Sequence, residues 1–207
     1  MNDKNKKEEY SLEALKKGDR KEFARLVDDY SAVIYRLAVK MLENPQDAED
    51  VLQETFIKAY KHLKNFDGRS SISTWLYRIA TNEALMMLRK RKYISVSIDE
   101  PMGASEDDQE PMQIIDWCCL PESELMSSEA FDYLDEAVEN LPYSLRVVFL
   151  LRDIDGLSTK ETSEVLNLSE SAVKTRLSRA RMRLRELLSE YFGSKIATKH
   201  ELGGNQA

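Results

Sequence analysis

Cysteine is nearly absent, with two in 207 residues, adjacent at positions 118 and 119. Neighbouring cysteines cannot easily bridge each other, so a disulfide framework is excluded and a reducing cytoplasm is the expected compartment. Only His62 and His200 could join Cys118 and Cys119, too few and too scattered for a zinc site. Seven glycines and five prolines are few for this length, which leaves room for long uninterrupted helices. No apolar run approaches the ~20 residues that cross a bilayer. The opening MNDKNKKEEY is charged and has no apolar segment behind it, unlike a secretion signal. Also missing are a glycine-rich phosphate cradle, a His-Glu metal motif and a nucleophile with a placed base. The expectation is therefore a binding protein, not an enzyme, with no catalytic residue, cofactor or metal.

What is present is a set of charges arranged in blocks. The net charge of −7 argues against nucleic acid until its distribution is followed. Between Tyr93 and Leu145 there are 14 acids and no Lys or Arg. Residues 1–92 carry a net +4 and residues 146–207 a net +3. Two mildly basic blocks thus flank one strongly acidic segment.

Helical periodicity runs from about Ser11 to Arg91 with two breaks. At the first, Asn44 suits an N-cap and Pro45 the first helical position, with Asp47, Glu49 and Asp50 near the positive helix end. Ala48, Val51, Leu52, Thr55, Ala59, Tyr60 and Leu63 then recur at three- and four-residue spacing. The second break, Asn65 to Ser71, is a loop by composition, and a further helix begins near Ser73. Residues 94–128 have the character of an acidic linker, interrupted by an apolar island around Ile114, Ile115 and Trp117. Helical signal returns at about Ser128 and again at Pro142 to Ile154, where Gly156 is a natural stop. Ser158 and Glu161 form a capping box for a short helix. Asn167 tolerates the left-handed turn that follows, and Ser169 caps a last long helix to about Tyr191. Residues 193–207 are expected to be a disordered tail. The fold class is all-α: two helical domains, 1–93 and 129–192, joined by the 94–128 linker.

A short capped helix, a tight turn and a basic helix make the second domain a helix-turn-helix candidate. At about 100° per residue, Val173, Leu177, Ala180 and Leu184 fall in one apolar stripe of the last helix. Lys174, Thr175, Ser178, Arg179 and Met182 lie opposite, with Arg176, Arg181 and Arg183 on the flanks. From Ser171 to Arg185 there are six basic residues and no acid. A basic stripe alone describes a solvated bundle helix. Joined to the capping box, the turn and the single sign of charge, it suits DNA, with flanking Arg on phosphates and the exposed face on base edges.

These segments are similar to a known family. DAEDVLQETFIKAYKHLKNFDGRSSISTWLYRIATN resembles region 2 of extracytoplasmic-function sigma factors, and LPYSLRVVFLLRDIDGLSTKETSEVLNLSESAVKTRLSRARMRLRELL resembles their region 4. The resemblance covers about Leu12 to Leu188, in the family's order. It implies that Asp47, Asp50, Gln53, Glu54 and Phe56 belong to the helix that docks on core RNA polymerase. It implies that Asp67, Gly68, Arg69, Ser70 and Ser71 form the loop that captures a flipped promoter base. Trp75, Arg78 and Asn82 would face the melted proximal element. Lys174, Thr175, Ser178 and Arg179 would read the distal element in the major groove, with Ser171, Arg176 and Arg183 completing that contact. Core RNA polymerase, promoter DNA and an anti-sigma factor are the implied partners, and the acidic linker would follow a basic channel of the polymerase. The sequence departs from the family at Met86, where a polar residue is usual, at Thr162 and Ser163, which replace an apolar pair, and at Asn167, which replaces Gly. The rival reading is a stand-alone helix-turn-helix regulator, which leaves the first domain unexplained.

Overall fold

The computed structural model describes residues 10–96 and 128–203, with side chains at 10–91 and 133–189. Residues 97–127, the greater part of the acidic linker, with Ile114, Ile115, Trp117, Cys118 and Cys119, lie outside the described residues. Among the described residues every regular element is helical.

Four helices make the N-terminal half: α1 (Leu12–Lys16), α2 (Arg20–Leu42), α3 (Pro45–His62) and α4 (Ile72–Val96). Their ends follow local chemistry. Asp19 caps α2 through its carboxylate, which accepts from the Lys21 and Glu22 backbone N–H groups. At the α2–α3 break Glu43 adopts a left-handed conformation at φ 54°, and the Asn44 side chain accepts from Asp47 N–H at 3.1 Å. Pro45 opens α3 as expected, since its missing N–H would have had no partner there.

The C-terminal half holds α5 (Ser128–Glu139), α6 (Tyr143–Phe149), α7 (Thr159–Leu166) and α8 (Glu170–Gly203). α6 does not run regularly to Gly156. It widens into a π turn over Leu150–Ile154 before Gly156 takes φ 74°. The capping box is formed in both directions: Glu161 N–H donates to the Ser158 hydroxyl at 3.2 Å, and Ser158 N–H donates to the Glu161 carboxylate at 2.8 Å. Asn167 takes the left-handed turn at φ 53°, the conformation the usual glycine would have served. The backbone of α8 stays helical to Gly203, past Tyr191 and over residues 193–203 of the expected disordered tail. Its apolar stripe ends earlier, but no proline interrupts the segment, and the paired Gly203 and Gly204 follow only at its end.

Two cores result. The smaller unites Leu15, Leu26, Ile34, Phe56, Leu63 and Leu76 within the N-terminal half. The larger runs across both halves: Leu37, Met41, Val51, Tyr77 and Ala84 share it with Val138, Leu141, Val148, Leu151, Val165, Val173 and Leu184. α4 packs on α7, and α2 on α6. Polar bridges reinforce this contact. Lys40 pairs with Asp135 at 2.6 Å, and the buried Arg146 pairs with Glu43 while donating to the Glu139 and Leu141 carbonyls. The two domains that charge separates along the chain are therefore closed on each other. Thr162, which stands in place of an apolar residue of the family's pair, is fully buried. Its hydroxyl has no partner within hydrogen-bond reach, so the departure is felt as an unmet polar group, a cost of about 1–3 kcal/mol, and not as a gap.

Candidate nucleic-acid interface

Three surfaces collect the residues singled out in the sequence. The first is the outer face of α3. Asp50 and Gln53 are exposed, and Glu54 is half-buried. The acids on this helix had no intramolecular partner assigned from sequence; the fold supplies two. Arg91 of α4 pairs with Asp47 and donates to the Leu42 carbonyl at 3.1 Å. Lys58 reaches Glu54 at 3.6 Å and Glu83 at 2.6 Å. The Glu83 hydrogen bond, opposed by partial burial, raises the Lys58 pKa and keeps this lysine charged. Asp47 thus ties α3 to α4, which leaves Asp50 and Gln53 as the outward polar pair. Phe56 does not stand on this face. It is buried, edge-on to Phe23 at 6.4 Å, and supports the helix from beneath. Ile57 and Tyr60, assigned no surface role from sequence, are respectively 45% and 49% exposed. Tyr60 was expected in the buried stripe; its ring instead lies against Phe23 at 5.0 Å with its outer side in solvent. Helical angle alone carried a signal for Ile57, which falls on the arc of Asp50 and Gln53.

The second surface is a cavity of about 470 Å³ at the start of α4. Asp67, Arg69 and Ser70 form one wall and Trp75 and Arg78 another, with Phe66 behind Trp75 at a ring separation of 5.0 Å. Gly68 turns the loop with φ 76°. Asp67 organises it by accepting from the Arg69 backbone N–H at 3.2 Å and pairing with the Arg69 side chain at 2.6 Å. Ser71 is less a ligand group than a helix cap, its hydroxyl accepting from Thr74 N–H at 3.1 Å. Asn82 is exposed further along α4. An aromatic wall beside cationic side chains, in a pocket wider than any water site, suits a planar unpaired base and its phosphate. Glu164 of α7 also lines this cavity, and Glu161 accepts from the Thr74 hydroxyl at 3.5 Å. In the closed arrangement one carboxylate of the other half, Glu164, thus stands in the wall of this cavity, and a second, Glu161, is held beside it at Thr74.

The third surface is α8. Val173, Leu177, Ala180 and Leu184 are buried, and Ser171, Lys174, Thr175, Ser178 and Arg179 are exposed, so the angular division holds side chain by side chain. The helix starts at a Ser169 cap, whose hydroxyl accepts from Ala172 N–H at 3.1 Å. Two flanking arginines are engaged within the fold. Arg181 forms a two-pronged pair with Asp153, 2.8 Å on each arm, which locks α8 to the π turn. Arg183 bonds Glu186 at 3.0 Å. Arg176 is half-buried on the flank. Among the described residues no cluster of side chains has the make-up of a metal site, and no helix is long and apolar enough to cross a membrane.

Residues 26–93 match the family described as Sigma-70 region 2, and residues 131–184 match Sigma-70, region 4. A similar protein is the ECF RNA polymerase sigma factor SigW of Bacillus subtilis, 39% identical over 179 residues that span 86% of this chain and 95% of that protein. The ECF RNA polymerase sigma-E factor of Escherichia coli K12 is 34% identical over 82% of this chain and 88% of its own length. Among solved structures, CnrH in complex with the cytosolic domain of CnrY aligns with a TM-score of 0.61 at 24% identity, covering 86% of this chain and 95% of that one. The sigma factor RpoE of Bartonella quintana, in complex with the anti-sigma factor NepR, aligns with a TM-score of 0.63 at 24% identity, covering 82% of this chain and 98% of that one. At that identity the two structures speak for the fold.

Proposed function

This chain belongs to the extracytoplasmic-function group of the sigma-70 family, and from that premise we propose how its three surfaces divide the work of starting transcription. It binds core RNA polymerase, which supplies the chemistry, and directs it to promoters. The Asp50 and Gln53 face of α3, extended by Ile57 and Tyr60, docks on the polymerase. The cavity of the 67–71 loop takes one base of the melted proximal element, and Trp75 offers it a stacking surface. A captured base recovers part of its unstacking cost there, which is how binding energy is turned into strand opening. Arg78 and Asn82 hold the strand that leaves the pocket. α8 lies in the major groove of the distal element, with Lys174, Thr175, Ser178 and Arg179 toward base edges and Arg176 toward phosphate.

The observation that carries this reading is the coexistence in one chain of two surfaces that suit DNA, a pocket lined by aromatic side chains and two arginines and a helix with a basic exposed face. A stand-alone regulator has use for the helix only. In the closed arrangement Glu164 lines the pocket and α7 is held on α4 by the Glu161–Thr74 hydrogen bond, so promoter binding requires α7 to leave α4. Polymerase binding would supply the energy for that separation, and an anti-sigma factor would oppose it. All of these partners place the protein's work in the cytoplasm. Run-off transcription with core polymerase tests the reading. Promoter-dependent full-length transcripts that require this chain are expected. Tight operator binding by the free protein, with no effect on polymerase, would favour the regulator instead.

A further inference from the structure

Along the exposed side of α4, Arg78, Asn82, Met86 and Lys90 stand at four-residue steps. Each step advances about 6 Å along the axis and turns only about 40°, so the four form one slowly winding strip. Trp75 opens the strip at the pocket mouth. Met86 is 57% exposed, more than any other large hydrophobic side chain among those described as exposed. Its neighbours one turn away are polar: Asn82, Arg89 and Lys90 are exposed, and Glu83 is drawn toward α3 by Lys58 at 2.6 Å. Met86 is therefore a single apolar point in a polar and cationic strip, not the edge of an apolar patch. A protein partner would need a wider apolar area to gain from it. The charge around it fits a nucleic-acid strand, and the one apolar group on the edge of a DNA base is the C5-methyl of thymine.

We propose that Met86 is a specificity-determining residue that contacts the C5-methyl of a thymine in the proximal promoter element, further along the strand that leaves the 67–71 pocket and beyond the nucleotide beside Asn82. The inference rests on the sigma-factor reading above. A methionine suits the task because its unbranched, polarisable side chain adapts its shape to a methyl group without demanding a hydrogen bond.

The test uses holoenzyme assembled from the full chain and core polymerase. Open complexes are selected from promoter fragments randomised across the proximal element, with the parent, Met86→Ala and Met86→Asp compared. Met86 is exposed and alanine is the best helix former, so Met86→Ala keeps the helix, which circular dichroism checks. The parent should enrich thymine at one position where both variants show no preference, while preferences elsewhere are shared. Uracil in place of that thymine should then lower open-complex formation by the parent about fourfold and leave Met86→Ala unchanged. Superimposable base preferences, or an equal loss with uracil in parent and variant, would overturn the assignment. If none of the three holoenzymes enriches a sequence, the sigma-factor reading falls, and this inference with it.

Discussion

Replacing Asp155 with asparagine should stabilise the closed arrangement of the two halves at neutral pH. Asp155 ends the π turn of the C-terminal half, and Arg36 of α2 and Tyr77 of α4 face it from the N-terminal half. Burial raises its pKa from 3.8 to about 6, opposed in part by the Arg36 cation. Burial also raises the pKa of Tyr77, with the Asp155 charge adding to it, so the tyrosine stays neutral throughout the working range. The nearby charges on the π turn are committed elsewhere, Asp153 to Arg181 and Arg152 to the Leu157 carbonyl. The sign follows from the direction of the shift. A carboxyl whose pKa is raised in the closed state favours that state below 3.8 and loses this contribution as pH rises through about 6. Above that range the ionised group penalises closure by at most about 3 kcal/mol. An amide of the same shape has no such penalty. In urea unfolding at pH 7.5, Asp155→Asn should exceed the parent by up to about 3 kcal/mol, with the gap shrinking to about 1.5 kcal/mol at pH 5 and below 1 kcal/mol at pH 4. Comparing the two proteins at each pH cancels the titration of every other group. On the proposal that assembly with polymerase opens the same contact, the variant should also need more core enzyme for half-maximal transcription at pH 7.5. A gap that does not change with pH, or a variant less stable than the parent at pH 7.5, would refute the argument.

Three further outcomes are expected. Asp50→Arg combined with Gln53→Ala should abolish co-elution with core polymerase and leave the circular dichroism spectrum unchanged, because both side chains are exposed and neither is tied into the fold. Asn82→Ala should spare polymerase binding but reduce strand opening, read by permanganate modification of unpaired thymines; normal opening would make this surface structural. Lys174→Ala with Arg179→Ala should relax distal-element preference, at about 1–3 kcal/mol for each good base contact. Arg183→Ala should instead weaken binding on every sequence, and by less than a free cation would, since Glu186 already engages it at 3.0 Å. Equal effects of these changes on a scrambled distal element would sink the division of labour along α8.

Much of this protein is decided within a few residues of chain. The Asn44 and Ser158 caps, the left-handed Asn167 and the apolar stripe of α8 were legible because each depends on one turn of backbone and a periodicity of 3.6. The exposed side of α8 was legible for the same reason, since the buried stripe names its opposite face. Tertiary structure alone decided which distant groups meet. Arg91 takes up Asp47 from 44 positions away in the chain, and Arg146 reaches Glu43 across 103. Tyr60, counted in the apolar stripe by its spacing, lies by helical angle beside Gln53, and tertiary structure sets its ring against Phe23 of another helix. Glu164 arrives at the base pocket only through the packing of α7 on α4. Periodicity states that a face is apolar but not which other face covers it. That choice is made by the shapes of segments far apart in the chain, and here it joins the two halves through one shared core.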